Sequence, residues 1–215
     1  MKLNLSVDEV LTTTRSVRLR LDHTKPVSRA IIDECLELAF QAPNGGNRNI
    51  WHWLVVDDPV MVGKVAAIYH ASMDEITRGV AEYKPAPAHV PREDLIGPSV
   101  LHLLENFHRM PALLIPMMTP RTEGGDCFAQ AGVWGSVVQA VWSFFLALRE
   151  RGLGSAWTTV HLRKEKEAAD LLGIPYDKYM QVGLFPIAYT AGTDFKKAYR
   201  KPLSEVRSFN RFGQK

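Results

Sequence analysis

The sequence lacks the patterns that mark several large classes of protein. Its two cysteines, Cys35 and Cys127, form no CxxC pair and no metal-ligand spacing, which favours a reduced, cytoplasmic protein. The seven histidines show no i, i+4 pairing, so the sequence predicts no metal site. No GxGxxG, Walker, HExxH or GxSxG motif occurs, which argues against a Rossmann dinucleotide site and a nucleophile-elbow hydrolase.

Strong net charge and an unbroken apolar run are also missing. The formal net charge is only +3, without the dense basic stripe of a nucleic-acid binder. The longest apolar run, residues 131–148, is interrupted by Ser136, Gln139 and Ser143, and is more typical of a buried or dimer-interface helix than of a membrane span. We therefore expect neither nucleic acid nor membrane as a partner. The length of 215 residues and the 46% hydrophobic content predict a single domain over 1–215.

Hydrophobic periodicity predicts an α+β protein. One helix is expected to begin after Ser28 and to stop before Pro43, with Ile32, Leu36 and Ala39 on its apolar face. Further helices are predicted over 60–83, 95–109, 128–151 and 164–173, and strands over 51–58, 112–118, 154–160 and 180–190. This order predicts one sheet around a central buried helix, as an α+β or three-layer α/β architecture.

Two segments fall outside this pattern. The proline-rich residues 83–94 are either a lid or a tolerated surface insertion. Residues 193–215 form a C-terminal extension that carries most of the excess of lysine and arginine. That basic run is interpreted either as a solvated tail or as part of an anion site.

Polar clusters follow the apolar elements at four places. Arg15, Ser16 and Arg18 combine guanidinium and hydroxyl donors, as a phosphate clamp does, although solvated arginines at a helix end are an equal alternative. The stretch Pro43–Asn49 concentrates carboxamides, which donate and accept at once and suit a heterocycle such as a flavin or purine. These carboxamides belong to Asn44, Asn47 and Asn49.

The other two clusters lie in the second half of the chain. Gly154, followed by Ser155, permits close approach of a ligand to the main chain. Arg200 and Lys201 precede a proline near the C-terminus. Basic clusters at opposite ends of the chain could converge on one phosphate.

In this order, the stretches "TTRSVRLRLD", "APNGGNRNIWHWLVVDD", "RERGLGSAWTT" and "FKKAYRKPLSEV" resemble the FMN-dependent nitroreductase family over nearly the whole chain. The resemblance implies a nitroreductase-like three-layer α/β/α fold with a central mixed, mainly antiparallel sheet and a long buried dimer helix. It also implies FMN as the cofactor and a homodimer with two sites at its interface.

The resemblance assigns roles to the four clusters. Arg15, Ser16 and Arg18 would bind the FMN phosphate and ribityl chain, while Thr14 stands where the family usually has its first arginine. That departure places more weight on Arg200, which matches the family's basic residue before its final Pro-Leu. The stretch Pro43–Asn49 would reach the FMN held mainly by the partner subunit. The main chain at Gly154 and Ser155 would lie against the flavin ring. The cofactor-binding residues implied in this way are Arg15, Ser16, Arg18, Pro43, Asn44, Asn47, Asn49, Gly154, Ser155, Arg200 and Lys201.

The activity implied is transfer of a hydride from NADH or NADPH through FMN to an electron-poor acceptor, such as a nitroaromatic or a quinone, by a ping-pong mechanism. No catalytic side chain is predicted, because the cofactor supplies the chemistry. The alternatives are a specialised reaction on the same fold (dehalogenation, flavin breakdown or substrate oxidation), a protein that stores or senses FMN, and a hydrolase with a dispersed triad.

Overall fold

The computed structural model describes residues 2–79 and 96–214, so the segment 83–94 interpreted as a lid lies outside the described residues. The strands are β1 (Leu21–Asp22), β2 (Trp51–Val56), β3 (Ala112–Met118), β4 (Leu153–Gly154), β5 (Met180–Gln181) and β6 (Phe185–Thr190). The helices are α1 (Val7–Thr13), α2 (Arg29–Ala39), α3 (Pro59–Gly79), α4 (Ile96–Asn106), α5 (Cys127–Glu150), α6 (Glu165–Leu172) and α7 (Leu203–Val206).

The strands form one sheet in the order β1-β6-β3-β2, with β4 paired to β6 and β5 paired to β3. Within the described residues every pairing between these strands is antiparallel, and the parallel component is an isolated bridge between Ser16 and Ser155. Every residue of the central strand β3 is buried, as its unbroken apolar sequence requires. The predicted α+β class with a mainly antiparallel sheet is confirmed.

The observed helices agree closely with the predicted ones. Helix α2 begins after Ser28 and buries Ile32, Cys35, Leu36 and Ala39. Helix α6 ends at Gly173, which adopts the left-handed conformation with φ of +68° that a C-terminal glycine supplies. The helix predicted over 95–109 is α4 followed by a short 3-10 turn, Phe107–Arg109.

The strand predicted over 154–160 is wrong. Only Leu153–Gly154 pairs with β6, and a 3-10 helix already begins at Val160. The Thr158 carbonyl accepts a hydrogen bond from the Leu184 amide (2.9 Å), and the Thr158 hydroxyl bonds to the Tyr69 hydroxyl (3.0 Å). These tertiary contacts direct the chain away from the sheet and override a β propensity that depends strongly on context.

The single strand predicted over 180–190 is instead divided into β5 and β6 around Gly183. A Cβ atom at Gly183 would lie 2.5 Å from Cζ of the buried Phe185 ring and 3.0 Å from the Thr158 carbonyl oxygen. The Phe185 ring packs against Phe145 and Trp157, so it has no free space to yield. The break in the strand is therefore a close contact that only glycine permits.

Helix α5 is buried at one end and exposed at the other. Its C-terminal half contributes Phe144, Phe145 and Leu148 to a core that also contains residues of α2, β3 and β6. Among the described residues, α5 alone is long and apolar enough to cross a membrane by length and composition, and 50% of that window is buried inside the protein. The exposed remainder lies mainly toward its N-terminus, where Phe128 is 88% exposed.

Two glycine substitutions should have opposite effects on stability. Gly183→Ala should lower the free energy of unfolding by about 1–3 kcal/mol, because the methyl group overpacks a fixed ring and a carbonyl. Gly63→Ala, inside α3 and with no described residue from outside the helix within 4 Å of its added Cβ, should raise it by about 0.5–1 kcal/mol. Urea unfolding measures both. An unchanged midpoint for Gly183→Ala would contradict the packing described here.

Candidate functional site

The first and third predicted clusters lie side by side. The Val17 amide donates to the Ser155 carbonyl (2.8 Å), and the Trp157 amide donates to the Ser16 hydroxyl (3.2 Å). A Cβ on Gly154 would lie 2.8 Å from Thr190 Cγ2 and 3.2 Å from Val17 Cβ. Glycine at this position therefore lets the two segments approach as closely as these hydrogen bonds need.

A small recess opens where these segments meet the end of α5 and the start of the C-terminal extension. Its polar groups are two guanidinium groups and three hydroxyl groups, and its described lining residues include no carboxylate. Its lining residues are Thr13, Thr14, Arg15, Val17, Phe145, Arg149, Leu153, Gly154, Ser155 and Phe195. Hydroxyls and guanidinium groups beside an apolar wall are the donors that bind phosphate.

Two arginines from the N-terminal part of the chain bind the segment around the start of the C-terminal extension. Arg15 donates from Nη1 to the Lys196 carbonyl (3.0 Å). Arg20 donates from Nε to the Ala191 carbonyl (2.7 Å) and pairs with Asp194 (2.6 Å). The basic segments from the two ends of the chain therefore meet at the beginning of the extension.

Arg200 and Lys201 lie further along the extension and are exposed. Within the described part of the chain, the one hydrogen bond that the Arg200 side chain makes goes to the neighbouring Tyr199 carbonyl (2.7 Å). In this protomer the structure thus does not bring these two cations into contact with Arg15. The apolar side chains beyond them, including Phe209 and Phe212, are also exposed.

Arg18 is half-buried and lies near Tyr69. Burial raises the pKa of the Tyr69 phenol, whereas its bond to Thr158 and the nearby Arg18 charge act in the opposite direction. The Arg18 guanidinium makes no hydrogen bond to the described residues, so its donors are available to a ligand.

The amide-rich stretch contains a short 3-10 turn, Gly45–Asn47, and Asn47 and the following Asn49 have φ of +52° and +49°. Asparagine tolerates this left-handed conformation better than most residues. The Asn44 side chain accepts from the Asn49 amide (2.8 Å), and the two carboxamides also contact each other (3.4 Å). Asn44 and Asn49 therefore hold the turn together, while the exposed Asn47 carboxamide makes no hydrogen bond to the described residues.

This turn is attached to the N-terminal half of α5, where the Gly45 amide donates to the Ser136 hydroxyl (2.9 Å). Pro43 and Asn44 line an open groove beside that helix. Ser136 and Arg149 are about 20 Å apart along α5, at a rise of about 1.5 Å per residue. One protomer therefore carries the amide turn and the cationic recess at opposite ends of the same helix.

Sequence reasoning missed Arg149, which lies in the last turn of α5 and is only 6% exposed. It donates from Nε to the Thr13 hydroxyl and from Nη2 to the Thr193 carbonyl, each at 3.0 Å. Burial lowers the pKa of its guanidinium. A basic residue ending an apolar helix was the visible signal, but its burial depends on the packing of both chain termini.

A scan against protein-family models matches residues 11–189 to the nitroreductase family. A comparison with curated proteins gave no match. Among solved structures, a BluB-like flavoprotein from Clostridium difficile 630 is 19% identical with a TM-score of 0.73, covering 97% of this chain and 100% of that chain.

Two further solved structures are similar. Iodotyrosine deiodinase bound to FMN and 3-iodo-L-tyrosine is 19% identical with a TM-score of 0.71, covering 98% of this chain and 100% of that chain. A variant of NfnB, an FMN and NADPH-dependent nitroreductase from Sphigopyxis sp. strain HMH, is 24% identical with a TM-score of 0.67, covering 97% and 100%. At these identities the structural likeness establishes the shared fold.

The contact between the amide turn and α5 can be tested by Ser136→Ala. Removing the hydroxyl should lower the free energy of unfolding by about 0.5–1.5 kcal/mol. It should also accelerate hydrogen exchange at the Gly45 amide, because water replaces the lost acceptor. Ser143→Ala, on the same helix, is the matched control and should leave that exchange rate unchanged. Equal exchange in both variants would show that Ser136 does not hold the turn.

Proposed function

Because the chain belongs to the nitroreductase family, we propose that it is an FMN-dependent oxidoreductase. The reaction would pass a hydride from NADH or NADPH to an electron-poor small molecule, such as a nitroaromatic or a quinone. The observation that carries the proposal is the recess lined by Arg15, Arg149 and Ser155, in which basic and hydroxyl groups meet the main chain of Gly154.

The donors of this recess suit the phosphate end of FMN, and because its enclosed volume of about 10 Å³ holds one water at most, the phosphate would lie at its mouth. A phosphate presents acceptor oxygens and negative charge, and the lining offers guanidinium and hydroxyl donors. Two buried polar atoms of the lining, Arg149 Nη1 and Ser155 Oγ, have no hydrogen-bond partner among the described residues. Since buried polar groups are usually satisfied, these orphan donors support a recess built for a polar ligand.

The protein's own groups would bind and orient the cofactor. Arg15 and Arg18 would supply charge-assisted bonds, Ser16 and Ser155 would supply hydroxyls, and the absence of a Cβ at Gly154 would keep the main chain close to the ligand. The apolar side of the recess would exclude water and so strengthen the attraction between its cations and a phosphate. Bound FMN would supply the hydride-transfer chemistry.

The second part of the proposal is a homodimer. The exposed face of α5 combines large apolar side chains, Phe128, Val138 and Trp142, with Gly132 and Gly135. Small residues let two helices approach closely, and apolar ones gain from losing contact with water. No atom from elsewhere in the described part of the protomer lies within 4 Å of a Cβ built on either glycine, which leaves this face open to a partner.

A dimer would also explain the divided site. The exposed Asn47 lies beside the N-terminal half of α5, about 20 Å from the recess at its C-terminal end by the helical rise. Packing two copies about a two-fold axis across this face would bring the turn of one protomer toward the recess of the other. Each flavin would then contact both subunits, with the amide turn at the ring and the arginines at the phosphate.

The first experiment tests the proposed function and shows whether the protein uses NADH or NADPH and which electron acceptor reoxidises the flavin. The purified protein, reconstituted with FMN, should show a visible flavin absorption band that bleaches on anaerobic addition of NADH or NADPH. Nitroaromatic or quinone acceptors should then restore the band. A flavin band that neither nicotinamide bleaches would instead support FMN storage or a specialised reaction, and failure to bind FMN would contradict the proposal.

Gly135→Leu tests the dimer. Among the described residues, no atom from elsewhere in the protomer lies within 4 Å of a Cβ added at Gly135, whereas at a packed interface the leucine side chain should weaken dimerisation by about 1–3 kcal/mol, or roughly ten- to a hundredfold. Sedimentation velocity measures the dissociation constant, and FMN affinity should fall with it. Gly63→Leu on α3 is the control and should remain dimeric. A Gly135→Leu protein with an unchanged dissociation constant would exclude this face as the interface.

A further inference from the structure

Arg48 is an exposed cation that directly follows the amide turn, Gly45–Asn47. Its Nε atom donates to the Gly45 carbonyl (3.1 Å), which holds the guanidinium against the turn. A Cβ built on Gly45 would lie 3.8 Å from Arg48 Nη2, and one on Gly46 would lie 3.6 Å from Arg48 Cγ. The Arg48 side chain therefore folds back along the two glycines, and its charged end has a fixed position instead of extending freely into water.

The outer nitrogens of this guanidinium are free. Within the described residues, neither Nη1 nor Nη2 of Arg48 donates a hydrogen bond, and no carboxylate lies within 4.0 Å of them. Arg29 shows the contrasting arrangement, because its exposed guanidinium binds both carboxylate oxygens of Asp57, at 2.5 and 2.8 Å. A guanidinium with free Nη donors matches the paired oxygens of a carboxylate or a phosphate. Arg48 therefore has an unused capacity for binding an anion.

The main-chain acceptors of the turn are occupied by bonds within it. The Asn44 carbonyl accepts from the Asn47 amide (2.9 Å), and the Asn47 carbonyl accepts from Asn49 Nδ2 (3.1 Å). The Gly45 carbonyl accepts from Arg48. The stretch 43–49 contains no acidic residue, so the positive charge of Arg48 is not offset locally. These features favour a negatively charged group beside the turn over a neutral one.

We propose that Arg48 makes the enzyme prefer substrates that carry an anionic oxygen group, either a carboxylate or a phosphate. The inference rests on the proposed function, in which the amide turn of one protomer reaches the flavin ring of the other. A substrate stacked on that ring would lie beside the turn, where the guanidinium would bind and orient its anionic group. The group belongs either to the acceptor, as in a nitrobenzoate, or to the nicotinamide nucleotide, whose phosphates present the same kind of oxygen.

Two other roles for Arg48 lead to different results when it is replaced. If Arg48 only stabilises the turn through its bond to the Gly45 carbonyl, its loss would affect charged and neutral substrates alike. If Arg48 pairs with a carboxylate of the partner subunit, its loss would weaken the dimer. Selective loss of activity with anionic substrates, in a protein that keeps its dimer and its cofactor, is expected only if Arg48 binds the substrate.

The experiment compares kcat/KM for charged and neutral substrates of the FMN-loaded protein. The acceptors are 4-nitrobenzoate and 4-nitrobenzamide, and the hydride donors are NADH, NADPH and 1-benzyl-1,4-dihydronicotinamide, which carries no phosphate. Arg48→Gln should lower kcat/KM about tenfold, or about 1.4 kcal/mol, for the anionic acceptor or for both nucleotides, and should change it less than about twofold for the neutral counterpart. The affected pair identifies which substrate carries the anion. Arg48→Lys should recover part of the preference, because it keeps the charge without the planar fork.

Arg78→Gln is the matched control, because Arg78 on α3 is also exposed and its Nε also donates to a backbone carbonyl, that of Asp74 (3.1 Å). It removes the same charge and should leave the ratio of charged to neutral kcat/KM unchanged. Sedimentation velocity and FMN titration check the dimer and the cofactor in each variant. If Arg48→Gln lowers kcat/KM equally for charged and neutral substrates, changes neither, or weakens the dimer, the inference fails and the proposed function stands. A wild-type flavin that no donor reduces would instead overturn the proposed function, and this inference with it.

Discussion

The close packing of Val17 against Gly154 is the constraint on which the candidate site depends. Because Gly154 lacks a Cβ, the segment after α1 can lie directly against the chain that leaves α5, and the Val17 amide reaches the Ser155 carbonyl. That contact places Ser16 beside the Trp157 amide and positions Arg15 at the recess. A larger residue at Gly154 would separate the elements that supply the phosphate-binding groups of the proposed site.

Helix α5 links the contact between Val17 and Gly154 to the surface of the proposed homodimer. Its C-terminal half is fixed in the core by α2 and the sheet, so the recess at that end has a rigid wall. Its N-terminal half carries the amide turn through Ser136 and exposes an apolar face with small residues. The same helix thus supports the wall of the recess at one end and exposes an apolar surface at the other.

Much of the fold was predictable because the spacing of hydrophobic residues indicates which face of a helix or strand is buried. The apolar face of α2, the existence of α6 and the unbroken apolar run of β3 were visible in the sequence. The residues around Thr158 were not, because β-branched composition cannot reveal that tertiary hydrogen bonds direct the chain off the sheet. Nor could the sequence show that Asn44 and Asn49 bond to each other across the amide turn, because that contact depends on the left-handed backbone of the turn. The burial of Arg149 was hidden because it requires both chain ends.

The recess joins residues that are far apart in sequence, and this has an energetic consequence. Arg15 contacts the Lys196 carbonyl, and Arg149 connects Thr13 to Thr193, so the recess exists only when both termini are docked. Bringing such distant segments together costs chain entropy, which local contacts within one helix do not. A ligand that binds only the docked state would stabilise it by mass action. Occupation of the recess and docking of the C-terminal extension should therefore be coupled, whereas the amide turn, which is held by local bonds and by α5, is formed independently of the termini.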